Sequence, residues 1–328
     1  MNVQNISKGF LTAYIIIALI SCGKDPSLSD FAVATHTHNA PYKTRHVIVM
    51  VVDGVRYTET WGEPQHRYIP DLDQQLAPKG IILDNYWNNG GTYTTAGYTA
   101  FCTGYYQEIN NGGGEHPYHP GIFQRYRKSS GIPDSLVWIV TSKDKLQVLS
   151  DCLDASWRST FNPKDNCGQN GGGVGSGYRD DSLTYELALN VLKNDHPKLM
   201  LIGFKEPDPS GHSGNWDNYV KETKTTYRFC RKIWDFLQND SVYSGSTTVF
   251  ITNDHGRHSD GVSNGFISHG DGCEGCRHVL LYASGPDFKE GVVVKNSHEQ
   301  LDVPVTIGAL LGFDIPGSQG KVMWDLFK

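Results

Sequence analysis

The sequence has no sustained run of lysine and arginine: its 29 basic residues are scattered among 35 acidic ones, leaving a formal net charge of −6. That balance excludes the broad cationic surface that a nucleic acid requires, and no nucleic-acid partner is expected. Nor does the apolar run FLTAYIIIALIS, beginning at Phe10, reach the roughly 20 residues of a membrane-spanning helix. CxxC occurs once, at Cys273 and Cys276, without a second pair to complete a zinc ribbon. The glycine-rich GGGVGSG at 171–177 has no preceding strand and no GK[ST] ending, so it reads as a mobile loop rather than a phosphate cradle.

What is present begins with that apolar run. Lys8 precedes it, Ser21 and Cys22 end it, and the polar GKDPSLSD follows. The pattern resembles a bacterial lipoprotein signal, in which the cysteine is lipidated and becomes the new N-terminus. It implies a signal peptide over 1–21, a flexible tether over 22–44, and a protein held by acyl chains in the cell envelope outside the cytoplasm. Six further cysteines, Cys102, Cys152, Cys167, Cys230, Cys273 and Cys276, are compatible with disulfides there, and their connectivity is open.

From residue 45 to 328 the chain is long enough, at 38% hydrophobic residues overall, for one large domain. HVIVMVVDG, GIILDNYW, LVWIVTS, KLMLIGF, TTVFITND and RHVLLYASGP are short apolar runs bounded by glycine, proline or aspartate, and read as strands. DSLTYELALNVLKND and NWDNYVKETKTTYRFCRKIWDFLQND carry helical periodicity, each beginning near a residue suited to capping. Fully apolar strands alternating with helices imply an α/β fold with a largely parallel central sheet and helices on both faces. Ligands in such sheets bind beyond the carboxyl ends of the strands.

Three of these strands run into metal-binding side chains. The first ends at Asp53, the fourth leads to Asp208 and His212 in DPSGH, and the fifth to Asp254 and His255 in NDHG. An isolated aspartate in such a place is ordinarily a cap or turn former. Carboxylates and imidazoles converging on one sheet edge, however, call for a cation among them. Asp208 and His212 are spaced to share one face of a helical turn. Asp254 and His255 are adjacent, so they can serve one ion only where the strand breaks, as at Gly256. Mixed aspartate and histidine donors suit zinc, with manganese as the alternative. Hydroxyl groups for a nucleophile are supplied by GGTYTTAGYTAFCTG, from Gly90 to Gly104. Lys143 and Lys145 follow the third strand and could meet a substrate phosphate, with solvated surface lysines as the default reading.

VVDG, the threonine-rich segment, DPSGH and NDHG, in this order, resemble the alkaline phosphatase superfamily, and most closely its phosphodiesterase and nucleotide pyrophosphatase branch. LDVPVTIGALLGFDIPGSQGKV is similar to the closing helix and tail of that group. The resemblance implies a single alkaline-phosphatase-like catalytic domain over 45–328 and places the nucleophile at Thr94. It implies one zinc held by Asp53, Thr94, Asp254 and His255, and a second by Asp208, His212 and His269, with His258 and His278 as nearby histidines. It further implies an asparagine on a phosphoryl oxygen, for which Asn110 and Asn111 are available and Asn111 is chosen. The sulfatase signature Cys/Ser-x-Pro-x-Arg is absent, TTAGY standing in its place, which disfavours sulfate esters.

The expected activity is therefore metal-dependent hydrolysis of a small-molecule phosphate ester, monoester or diester, through a phosphothreonine intermediate. The alternatives are a sulfatase-like or phosphotransferase member of the same superfamily, or a noncatalytic metal-binding surface lipoprotein.

Overall fold

A computed structural model describes residues 41–328. The expected signal peptide and most of the expected tether lie outside the described residues. The tether's last two residues, Lys43 and Thr44, donate their backbone N–H groups to the Asp287 carboxylate, each at 2.9 Å.

The centre is a nine-stranded sheet: β1 (His46–Asp53), β2 (Ile81–Trp87), β3 (Val137–Thr141), β4 (Lys164–Cys167), β5 (Leu199–Pro207), β6 (Thr247–Thr252), β7 (His278–Ser284), β8 (Val292–Val294) and β9 (His298–Glu299). Their order is β4-β3-β5-β1-β6-β7-β2-β8, with β9 also paired to β2. All pairings are parallel except those of β7, which runs against β6 and β2. Each of the six apolar runs forms a strand.

The helices are α1 (Thr94–Thr103), α2 (Ile122–Ser130), α3 (Asp181–Asn194), α4 (Asp208–His212), α5 (Trp216–Asn239), α6 (Glu274–Arg277) and α7 (Asp302–Leu311). Every residue of β1 is buried, because both faces of the sheet are covered. Val47, Val49 and Val51 point to one side and pack with Tyr98 and Phe101 of α1, Phe123 of α2, and Ile307 and Leu310 of α7. Ile48, Met50 and Val52 point to the other and pack with Ala188 and Leu192 of α3 and Tyr227, Ile233 and Leu237 of α5. Two-residue alternation in the strand thus feeds two separate cores.

The two long helices start differently. Asn215 caps α5 by accepting from the Asn218 N–H at 3.0 Å. Asp180 makes no such bond to α3; instead Asp181 accepts from the N–H groups of Lys205 and Glu206, pinning the start of that helix to β5. Segment 171–177 is likewise tied down, since Gly175 and Gly177 both donate to Asp144 Oδ2. The expectation of a mobile loop missed Asp144, a carboxylate remote in sequence that supplies the acceptor.

Candidate active site

Sheet order explains why the site assembles. β5, β1 and β6 are consecutive neighbours and parallel, so Asp53, Asp208 and the Asp254–His255 pair emerge at the same edge. β5 passes directly into α4, whose single turn carries Asp208 and His212 together. β6 ends at Thr252. Asn253 then anchors the break by donating to Val55 O and His255 O and accepting from Leu280 N. Past it, Asp254 Oδ1 accepts from the N–H groups of Gly54 and His255, which leaves Oδ2 directed into the site.

α1 brings Thr94 to the same edge. Gly97 makes this approach possible: a Cβ there would lie 2.3 Å from the Asp254 carbonyl oxygen. Thr94 is the first residue of α1 and is buried. Asn111, not Asn110, reaches this helix: its Oδ1 accepts from Thr95 N at 3.1 Å, Thr95 Oγ1 at 3.0 Å and Lys145 Nζ at 3.0 Å. Asn110 is spent on the local turn, accepting from Gly112 N.

Two clusters of donor atoms result. In the first, Asp53, Asp254 and His255 are entirely buried; Asp53 Oδ1, Asp254 Oδ2 and His255 Nε2 have no hydrogen-bond partner, and Asp53 Oδ2 meets only the Lys143 ammonium. His255 Nδ1–H donates to Gly256 O at 2.8 Å, so its Nε2 lone pair faces the carboxylates. Burial and then His269 hold the His255 pKa well below its ordinary value, keeping the ring neutral. Burial and the neighbouring Asp254 push Asp53 well up. Burial, with Asp208 close by, pushes Asp254 up to about 7 against the pull of Lys143. Buried carboxylates that resist ionisation in one another's presence are what a divalent ion would relieve.

The second cluster joins Asp208 Oδ1, His212 Nε2 and His269 Nε2. Their separations are 3.2 Å (Asp208–His212), 3.4 Å (Asp208–His269) and 3.1 Å (His212–His269). A tetrahedral ion with oxygen and nitrogen donors about 2.0–2.1 Å away sets its donors about 3.3 Å apart. His269 Nδ1–H donates to Thr92 O, again leaving Nε2 free. The residues present therefore fit divalent metal in both clusters. Among the other histidines, His278 is stacked between Tyr57 and Trp87 and serves packing.

Three cations complete the site, two of them contrary to expectation. Lys143 and Lys145 are buried rather than solvated. Lys143 Nζ lies 2.7 Å from Asp208 Oδ2, 2.9 Å from Asp53 Oδ2 and 3.1 Å from Thr94 Oγ1. Burial works against its charge, but the three carboxylates outweigh it and raise its pKa. Lys145 is held down to about 8 by burial and by Lys143 beside it. Arg257, fully buried, donates to Asp208 and to the carbonyls of Phe266 and Ile267. Burial raises the Asp208 pKa, yet Lys143 and the histidines overcome it and hold this carboxyl well below the usual range. The lysines were legible as strand-terminal residues at the same edge as the aspartates. Only adjacency to NDHG marked Arg257.

No protein-family model matches the chain. A stretch of 71 residues, 22% of the chain, is 31% identical to a 2,3-bisphosphoglycerate-independent phosphoglycerate mutase of Gracilaria tenuistipitata var. liui, of which it spans only 13%. Solved structures are similar over far more of the fold. The alkaline phosphatase PafA superposes with a TM-score of 0.67 at 12% identity, over 88% of this chain and 100% of that one. Murine ectonucleotide pyrophosphatase/phosphodiesterase 5 does so at 0.61 and 12%, over 86% and 100%. The lipoteichoic acid synthase LtaP of Listeria monocytogenes gives 0.60 and 14%, over 86% and 75%. The chain has the alkaline-phosphatase-superfamily fold. A phosphonate monoester hydrolase from Silicibacter pomeroyi shares that fold at a TM-score of 0.57 and 13% identity, over 85% of this chain and 76% of that one.

Proposed function

We propose that the protein is a metal-dependent phosphomonoesterase that acts through a phosphothreonine on Thr94. The observation that carries this reading is the pair of buried lysines beside the nucleophile, Lys143 on Thr94 Oγ1 and Lys145 on Asn111. A monoester carries two negative charges near neutral pH and a diester one. Fixed cations in a site shielded from water favour the more highly charged group.

Two bound divalent ions, zinc by their donor set, would lower the pKa of the Thr94 hydroxyl and offset charge on the attacking and leaving oxygens. Asp53, Thr94, Asp254 and His255 would hold one, and Asp208, His212 and His269 the other. Thr94 gives up its hydroxyl proton to solvent and Oγ1 attacks phosphorus; a new P–O bond forms, the bond to the leaving oxygen breaks, and that oxygen takes a proton from solvent to depart as the alcohol or phenol. Water then displaces phosphate from Thr94 and restores the hydroxyl. Lys143 keeps its proton throughout and stabilises charge on Thr94 Oγ1. Lys145 and the amide of Asn111 orient the phosphoryl oxygens, and the N-terminal end of α1 adds its positive dipole. TTAGY offers no formylglycine precursor, which turns the reading from sulfate to phosphate esters.

Among the described residues no helix is long and apolar enough to cross a membrane. With the lipoprotein-like N-terminus, we place the enzyme on a lipid anchor in the cell envelope, acting on small soluble phosphate esters.

The test is hydrolysis of an aryl phosphate monoester against a bis-aryl diester, before and after chelation. The expected outcome is a kcat/KM for the monoester more than tenfold higher, a transition-state difference above about 1.4 kcal/mol, with both activities lost to chelator and restored by zinc. Preference for the diester would assign the enzyme to diester hydrolysis. Activity in metal-free protein would overturn the mechanism.

A further inference from the structure

Beyond the two clusters around Thr94, the structure gathers four other donor side chains. His258, Asp271, Cys273 and Cys276 each offer one ligand atom, and these atoms all lie within 4.8 Å of one another. We propose that they form a separate zinc site, structural in role, that clamps the loop carrying His269. Two sulfurs, one imidazole nitrogen and one carboxylate oxygen make a four-coordinate zinc donor set, whose edges would measure about 3.3 to 3.8 Å.

The orientation of each donor supports this assignment. His258 is 5% exposed, and its Nε2 has no hydrogen-bond partner. It faces Asp271 Oδ2 at 3.2 Å without the alignment of a hydrogen bond. On the far side of the ring Nδ1 lies 3.2 Å from Ser268 Oγ, whose own hydroxyl is directed to Asn264. Ser268 therefore accepts from Nδ1–H, which leaves the Nε2 lone pair pointing into the cluster. This outer partner is the arrangement usual for a metal-bound histidine. Asp271 is set in the same way: Oδ1 accepts from Cys273 N at 3.0 Å, and Oδ2 is left for the cluster. Cys276 is fully buried.

The backbone is built to bring the two halves together. Gly256 N donates to Cys276 O at 2.8 Å. A Cβ on Gly256 would lie 2.1 Å from Gly275 O, and one on Gly275 would lie 2.6 Å from Arg257 O. The CEGC turn and the segment after His255 thus meet backbone to backbone, with a glycine from each side at the contact. Residues 260–264 and 270–272 between them are exposed, so little apolar burial fixes this loop. A zinc ion would hold it from both ends. His258 is three residues from His255, and Asp271 is two from His269, so the clamp would position a donor of each catalytic cluster. Binding would release the two thiol protons to solvent and leave both thiolates on the ion.

The discriminating experiment uses the full-length protein purified without reductant, with cobalt exchanged for zinc. Neither cluster around Thr94 contains sulfur, and among the described residues the CEGC turn is the one group of metal donors that does, so a thiolate-to-cobalt charge-transfer band lost on its mutation reports that site. The band is expected in the wild type, retained in Asp208→Ala, and lost in Cys273→Ser and Cys276→Ser along with one equivalent of metal. In unmutated zinc protein, alkylation of Cys273 and Cys276 should be at least tenfold slower than after chelation, a readout that stands even where the serine variants fail to fold. Absence of the band, or an intact mass and peptide map showing a Cys273–Cys276 disulfide, would overturn the proposal while leaving the phosphatase reading untouched.

Discussion

Lys143 Nζ stands 3.1 Å from Thr94 Oγ1 while also contacting Asp53 and Asp208, so one buried ammonium touches the proposed nucleophile and both clusters of candidate metal donors. Lys143→Ala should lower kcat by about 10²–10³, the usual effect of removing a fixed donor from developing charge. Lys145→Ala should act chiefly on KM, because that side chain reaches Asn111 rather than Thr94. Steady-state kinetics on an aryl phosphate, with metal content and melting measured on the same samples, separate these outcomes from misfolding. Equal kinetics in wild type and Lys143→Ala would remove the lysine from the mechanism.

Thr94→Ala should abolish turnover yet retain metal and phosphate, whereas Thr92→Ala and Thr95→Ala should keep substantial activity. Thr94→Ser should keep some, since it preserves the attacking oxygen. Acid quenching during turnover should leave phosphate on the peptide containing Thr94. A label on Thr95, whose hydroxyl is engaged with Asn111, would relocate the nucleophile.

Gly97→Ala tests the seating of α1. Alanine is the better helix former by about 1 kcal/mol, but its Cβ would press on the Asp254 carbonyl, and overpacking of this kind costs about 1–3 kcal/mol. The expected result is a lower melting temperature together with a loss of kcat, as Thr94 and Asp254 are pushed apart. A more stable, fully active variant would show that the helix can move without consequence.

His46 supplies a pH dependence remote from the metal clusters. It is buried at the start of β1, with Nε2 accepting from Lys198 Nζ and the ring edge-on to Tyr243. Burial, then Lys198, lowers its pKa from 6.5 to about 4. The unfolded chain therefore takes up this proton near pH 6.5 and the folded protein only near pH 4. Stability from the neutral ring is fully present above pH 6.5 and falls as the pH drops from there toward 4. Urea unfolding across that window should show the decline, and His46→Phe should flatten it. An unchanged slope in the variant would place the effect elsewhere.

Much of this architecture was legible in the chain, and the limits have physical reasons. The six apolar runs are strands because burial on both faces demands unbroken hydrophobicity. That demand is blind to direction, so nothing in RHVLLYASGP marks β7 as the antiparallel member. β4, β8 and the two-residue β9 were not anticipated: KDNC at one edge carries no apolar pattern, and three and two residues are too short to establish one. The spacing of Asp208 and His212 predicted their shared turn, and Gly256 the break beside Asp254 and His255. The buried state of Lys143 was not visible, since its compensation comes from carboxylates 65 and 90 residues away that only the sheet brings near. The same holds for His258, which gains meaning only against the CEGC turn.

The central position of β1 has a consequence for biogenesis. Its two neighbours, β5 and β6, begin at Leu199 and Thr247, and Gly54 meets Asp254 across 200 residues of chain. A polypeptide emerging N-terminus first exposes HVIVMVV long before either pairing partner exists. Such long-range parallel pairing is slow, and an unpaired apolar strand is prone to association with other chains. The export proposed above for this protein would answer that hazard, if it keeps the whole chain unfolded until β6 has followed β1 across the membrane.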